Sequence, residues 1–170
     1  MKSSIHSTWR SSCGRYTVQL TEECAAEMTR LAQKHYPREV GTALVGSYSD
    51  DGFCAQVTGL APLTEDSRGA RTRFQRGSRG LREFFDRVFR KSRGLVHYVG
   101  EWHSHPDGPA KPSNVDMASV VSIAQDLEAR CPECILVIAA TTSRAMTFGV
   151  VVCSVNAGNV QLRREHPPAE

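Results

Sequence analysis

The chain has no stretch approaching the roughly 20 apolar residues that cross a bilayer. Its first residues, Met1-Lys2-Ser3-Ser4-Ile5-His6-Ser7, lack the apolar core of a secretory signal. A cytoplasmic location is the resulting expectation. There is no internal repeat and no Pro/Gly/Ser-rich linker, so the 170 residues are expected to form one domain. Six cysteines are present, yet only Cys131 and Cys134 form a C-x-x-C pair, and no second pair completes a tetrahedral site. They are read as buried or loop thiols. Hydrophobic content of 40% and charged content of 23% are ordinary for a soluble globular protein.

Acidic residues are scarce in one region. From Arg68 to Arg93 the chain carries ten cations, opposed only by Glu83 and Asp86, although the net charge of the whole is just +3. This is either the solvated face of a helix with its adjoining loop or a docking surface for an acidic partner. Phe85 and Phe89, four apart, fit a helix core stripe rather than a base-stacking platform.

What the chain does contain is an ordered series of strand and helix signals. Tyr16 to Leu20 alternates like a strand, and Thr21-Glu22-Glu23 caps a helix running to about His35. Val40 to Tyr48 and Phe53 to Leu60 form a hairpin around Ser49-Asp50-Asp51-Gly52. A polar loop from Pro62 to Gly69 leads to a short strand at Thr72 to Gln75, and Ser78 caps a helix to about Lys91. Leu95 to Ser104 reads as a strand and Ser113 to about Arg130 as a helix. The pattern Ile135–Ala140, Met146–Val152 and Val160–Leu162 completes the sheet, with a turn at Thr141 to Arg144. This order predicts an α/β architecture, a mixed β-sheet flanked by helices in a sandwich. The expected domain spans 14–163, with tails at 1–13 and 164–170; the C-terminal segment from Glu165 to Pro168 is read as frayed.

The chemistry concentrates in Glu101-Trp102-His103-Ser104-His105-Pro106 and in Pro112-Ser113-Asn114-Val115-Asp116. Alternate residues of a strand share a face, so His103 and His105 point the same way, with Cβ atoms ~7 Å apart at ~3.3 Å rise per residue. Two imidazoles at that span can close on one ion. Pro106 stops the strand, while Gly108, Pro109 and Pro112 force a turning connection. Ser113 is then an N-cap and Asp116 a short capping-box acid on the first helical turn, ahead of Val115, Ala118, Val121, Ile123, Ala124 and Leu127. Two histidines and a carboxylate leave a fourth zinc position open, which marks catalytic sites more often than structural ones. Asp107 is a rival ligand without capping geometry to fix it. Glu39 and Glu101 are both candidates for a base; Glu101, two residues before His103, shares the histidines' face and also reads as a strand-packing residue.

These residues resemble the signature of the JAB/MPN+ (JAMM) zinc metalloproteases: an early glutamate, then H-x-H-P, with seven residues between its second histidine and S-x-x-D. Here Pro106 to Pro112 supply the seven-residue spacer, and Glu39-Val40-Gly41-Thr42-Ala43-Leu44-Val45-Gly46 is similar to the family's early element. The likeness runs from about Tyr16 to Val152. It implies the MPN fold, a cytidine-deaminase-like α/β arrangement, and one Zn2+ per chain. By resemblance, His103, His105 and Asp116 would be zinc ligands, Glu39 the general base, and Ser113 an oxyanion stabiliser. Preferring Glu39 to Glu101 rests on that pattern alone.

Within the family, Gly100 to Pro106 resembles small bacterial deconjugating peptidases of type II CBASS antiphage operons and related ubiquitin-like systems. The resemblance implies cleavage of the amide after the C-terminus of a ubiquitin-like modifier or a nucleotidyltransferase-type signalling synthase joined to a target. It also implies an activating and conjugating enzyme as functional partner. The loop from Pro62 to Gly77 is the candidate substrate-contacting segment; Arg71, Arg73 and Phe74 within it, and Glu101 on the histidine strand, are the candidate substrate-binding residues. The alternatives are a non-catalytic MPN scaffold, a RadC-like protein linked to nucleic acid, and an enzyme trimming sulfur-carrier or small peptide substrates. A RadC-like reading lacks the N-terminal helix-hairpin-helix region.

Overall fold

The computed structural model describes residues 4–142 and 145–165. The chain order is β1 (Ile5–Ser11), β2 (Thr17–Thr21), α1 (Glu22–His35), β3 (Gly41–Tyr48), β4 (Cys54–Leu60), β5 (Arg68–Gly69), β6 (Phe74–Gln75), α2 (Leu81–Lys91), β7 (His97–Pro106), α3 (Asn114–Gln125), β8 (Glu133–Thr141), β9 (Met146–Ser154) and β10 (Gly158–Arg164). Strands β5 and β6 pair only with each other.

The remaining eight strands close into a barrel in the order β1-β10-β9-β8-β7-β3-β4-β2, with β2 returning to β1. Pairing is mixed: β2–β4 and β7–β8 are parallel, the other neighbours antiparallel. The α/β class with helices on a mixed sheet is as expected, but the sheet is not the open layer of a sandwich. Closure comes from β1, which pairs with both β2 and β10. Residues 1–13, read as a tail, therefore include a barrel strand. Its inward positions are Ser7, Trp9 and Ser11, two of them polar, so the hydrophobic alternation that marks a strand is missing.

Two layers cover the sheet around the site. On one side lies the main core, where α1 places Cys24, Met28 and Leu31 beside Val99, Trp102, Ile135, Val137 and Ala139. On the other, α3 places Val120 and Ala124 over Leu136 and Ile138. Strand β8 is thus buried on both faces, which explains its uninterrupted apolar run. Helix α2 packs through Leu81, Phe84 and Phe85 against Ala43, Ala61 and Tyr98.

Strand β7 runs from His97 through Pro106 rather than from Leu95 to Ser104, and two helix boundaries differ as well. Helix α2 is capped by Gly80 at φ 77, not by Ser78. Asp66 takes the Ser78 amide instead, at 3.0 Å. Helix α3 stops at Gln125 rather than near Arg130 because Asp126 turns extended (φ −77, ψ 112), and Leu127 is 91% exposed instead of facing the core. Part of the expected turn, Ser143 and Arg144, and residues 166–170 of the expected tail lie outside the described residues; Glu165 donates its amide to Thr8 O at 2.8 Å.

Candidate metal centre and catalytic cleft

Strand β7 lies between β3, which pairs with its residues His97 to His103, and β8, which pairs with Gly100 to Pro106. Its even residue Trp102 points into the main core, where its indole donates to Thr42 Oγ1 at 2.9 Å. Alternation then sends His103 and His105 to the α3 side. Their Nε2 atoms stand 3.1 Å apart. Gly41 pairs with His103 across β3, and a Cβ built there would lie 2.2 Å from Trp102 O and 2.7 Å from His103 Cβ. A side chain at that position would collide with the histidine's own base.

The capping box forms as the spacing predicts. Ser113 Oγ accepts from Asp116 N at 3.2 Å, and Asp116 Oδ2 accepts from Ser113 N at 2.6 Å. This fixes the carboxylate toward the strand, with Oδ1 3.2 Å from His103 Nε2 and Oδ2 3.4 Å from His105 Nε2. A tetrahedral zinc with bonds of roughly 2.0–2.1 Å needs ligand atoms about 3.3 Å apart; the Nε2–Nε2 gap and the approach of each histidine to one Asp116 oxygen, Oδ1 for His103 and Oδ2 for His105, are of that size. Among the described residues, His103, His105 and Asp116 are the group that could hold a metal ion.

The electrostatics suit a cation. Burial pushes the Asp116 carboxyl up, but hydrogen bonds from His103 and His105 outweigh it and hold the group well below the usual carboxylate range. His105 is raised, chiefly by its hydrogen bond to Asp116.

Glu39 lies just before β3 and is 8% exposed. Its amide donates to Ala70 O at 2.8 Å, while the next residue, Val40, exchanges bonds with Ser104 on β7 at 3.0 and 2.8 Å. Gly69 makes room for this seat, since a Cβ there would stand 2.1 Å from Glu39 O. Burial raises the Glu39 carboxyl pKa, against the pull of His103 and His105. A carboxyl so placed is suited to accepting and returning a proton.

Glu39, His103, His105, Ser113 and Asp116 all line one cleft of about 1060 Å³. Arg71, Arg73, Phe74 and Glu101 line it too, so the expected substrate-contacting loop forms one wall. Phe74 stacks toward His103, ring centroids 6.4 Å apart. Arg71 sits 3.6 Å from Asp107, which also accepts from Tyr36 OH at 2.9 Å. Asp107 thus faces the cleft rim rather than the ligand cluster. Glu101 is occupied elsewhere: Arg76 Nε and Tyr98 OH each donate to it at 2.8 Å. It fastens the loop to β7, in keeping with its reading as a strand-packing residue beside the cleft. Arg76 and Tyr98 were not singled out from the sequence, where a single arginine in a basic run carries no signal of its partner. Cys131 and Cys134 are both buried.

The profile described as prokaryotic homologs of the JAB domain matches residues 21–156. A protein of Enterobacter hormaechei subsp. hoffmannii named CD-NTase/cGAS isopeptidase is 37% identical over 131 residues, covering 77% of this chain and 71% of that protein. A "probable metalloprotease y4qB" of Sinorhizobium fredii is 25% identical over 122 residues, covering 71% and 74%. Among solved structures, protein DSY2949 from Desulfitobacterium hafniense aligns with a TM-score of 0.58 at 23% identity, covering 88% of this chain and 90% of that one, a likeness of fold. With the profile spanning the barrel from the end of β2 past β9, and the H-x-H and S-x-x-D residues converging as described, this chain belongs to the prokaryotic JAB-domain family.

Proposed function

We propose that the protein is a zinc-dependent isopeptidase or peptidase. It cleaves the amide bond after the C-terminus of a ubiquitin-like modifier or conjugated nucleotidyltransferase-type synthase, within a bacterial antiphage system. The observation that carries this reading is the meeting of His103, His105 and Asp116 with buried Glu39 in one open cleft. The substrate class is supported by the name CD-NTase/cGAS isopeptidase carried by two relatives, at 37% and 29% identity. An activating and conjugating enzyme would supply the conjugate, and the cytoplasm would be the compartment. A non-catalytic scaffold would not need the full set of residues.

A zinc ion held by the two Nε2 atoms and the Asp116 carboxylate would supply Lewis acidity to water and to the scissile carbonyl. Glu39 takes the proton from the attacking water and delivers it to the leaving amine. In the metal-free protein, burial raises its pKa against the pull of His103 and His105. Ser113 spends its oxygen lone pair on the Asp116 amide, which leaves its hydroxyl hydrogen available to the developing oxyanion. Phe74 lies nearly parallel to the His103 ring, with centroids 6.4 Å apart, as an apolar neighbour of that ligand.

The test is cleavage of fusions in which the C-termini of candidate synthases and ubiquitin-like modifiers precede a reporter protein. The expected result is a cut at the junction by zinc-loaded protein. Failure to cut any fusion with zinc bound would overturn the substrate assignment. Normal cutting by Glu39→Gln would overturn the base.

A further inference from the structure

His105 has a second polar contact besides the ligand cluster. Its Nδ1 lies 3.2 Å from the carbonyl oxygen of Pro109. A carbonyl oxygen carries no hydrogen, so this bond exists only with the ring proton on Nδ1. In the neutral ring that places the hydrogen on Nδ1 and leaves Nε2 bare, and Nε2 is the atom facing His103 and Asp116; only the protonated ring also donates from Nε2 to Asp116. The orientation of Pro109 therefore decides which nitrogen is offered to an ion.

Pro109 sits in the connection between β7 and α3. The near end of that connection is held by Asp107 N on Thr141 O at 2.8 Å, and the far end by the Ser113 cap. Its middle has a different support. Ala110 lies flat against β9 at Gly149: a Cβ built on Gly149 would stand 1.9 Å from Ala110 O and 2.9 Å from its carbonyl carbon. Gly149 pairs with Ile138, and Ile138 with His103, so this seat is in the same transverse row of the sheet as a ligand. Gly149 is no turn residue. What it supplies is the absence of a side chain under the loop.

We propose that Gly149 is a positioning residue for metal ligation. It seats Ala110 so that the Pro109 carbonyl holds the His105 ring with Nε2 free. The proposal rests on His103, His105 and Asp116 being metal ligands, as argued above. Any side chain at position 149 lifts the Ala110 carbonyl, tilts the adjoining Pro109 peptide and releases Nδ1. Gly108 guards the same geometry from the other side, since a Cβ there would lie 3.2 Å from His105 Cβ.

The experiment uses zinc alone as probe. Zinc affinity of the full chain is measured by competition with a chromophoric chelator for wild type, Gly149→Ala and Gly108→Ala. Loss of a partner that orients a ligating histidine lowers metal affinity by roughly 10–100-fold, which is the loss expected for Gly149→Ala. A smaller loss in the same direction is expected for Gly108→Ala. The Co2+ absorption spectrum of each variant should also shift, while circular dichroism of the zinc-free proteins stays unchanged. Imidazole 15N shifts of zinc-loaded wild type should show His105 protonated at Nδ1. That last reading decides the case even if Gly149→Ala fails to fold: metal on Nδ1 overturns the proposal. Folded variants that bind zinc as tightly as wild type overturn it too. A wild type that takes up no zinc overturns the metal reading itself.

Discussion

Arg76 donates from Nε to Oε2 of Glu101 at 2.8 Å, joining the β5–β6 hairpin to the metal strand two residues before His103. Their side chains are only 28% and 14% exposed, so the pair is shielded from the screening that weakens surface bridges. The wall of the cleft is thereby tied to its floor. Glu101→Ala leaves the guanidinium without its carboxylate and Tyr98 OH without its acceptor. A loss of about 1–3 kcal/mol is expected in chemical denaturation. Trypsin should cut the hairpin at Arg71 or Arg73 faster than in wild type, with zinc stoichiometry kept. An unchanged digestion pattern would show the hairpin to be held by its other contacts alone.

Glu39→Gln keeps the shape of the side chain and removes its basicity. Single-turnover cleavage should slow by roughly 10²–10⁴-fold while zinc stoichiometry is retained, the range general acid–base groups contribute. His103→Ala should instead lose zinc and activity together. Equal zinc loss in the two variants would move Glu39 from base to ligand.

Acidification should act in opposite directions on the zinc-free protein and on zinc uptake. The His105 pKa is raised above its ordinary value of about 6.5, so its stabilising contribution is fully present below that pH and fades as pH rises through the raised value. Asp116 is lowered, so its contribution is present above about 3.9 and lost in stronger acid. The pair therefore stabilises the zinc-free fold most between about pH 4 and 6.5. Zinc needs the neutral imidazole, so its affinity should fall on acidification, beginning above pH 6.5. Calorimetric titrations showing flat affinity between pH 8 and 6 would contradict the ligand assignment.

Gly41→Ala should destabilise, although Gly→Ala at a compatible site usually stabilises by about 0.4–1 kcal/mol. The new Cβ has Trp102 O at 2.2 Å and His103 Cβ at 2.7 Å. The sign of the shift in denaturation midpoint is the measurement.

Cys13 should be the first thiol to react with a maleimide. It is exposed, and the Ser11 hydroxyl beside its sulfur lowers its pKa. Cys24 and Cys153 are buried with pKa values pushed up by burial, and should react only on unfolding. Simultaneous labelling of all three would mean that the barrel opens readily.

The metal cluster was legible because every device that builds it is local: strand alternation, a proline stop, and a cap closed over three residues. Strands β3, β4, β8 and β9 were legible from their apolar runs. Strand β1 was not, since Ser7 and Ser11 point inward where apolar residues would have marked it. Barrel closure depends on pairing Trp9 with Arg164 and with Val18, contacts that no window of sequence contains. The Arg76–Glu101 tie spans 25 positions and was hidden for the same reason.

His103 is paired with strands on both sides and His105 with β8, and the aspartate is locked by its own helix cap. The ligand spacing is therefore a property of the sheet and the cap, not something an ion must create. Binding then orders little, so apo and loaded forms should superimpose closely, and affinity is not reduced by the entropy of assembling a site. Rigidity also discriminates. Gaps of 3.1 to 3.4 Å suit ions with bonds near 2.0–2.1 Å, whereas calcium, at about 2.3–2.6 Å with six or more oxygens, finds neither the reach nor the donors here.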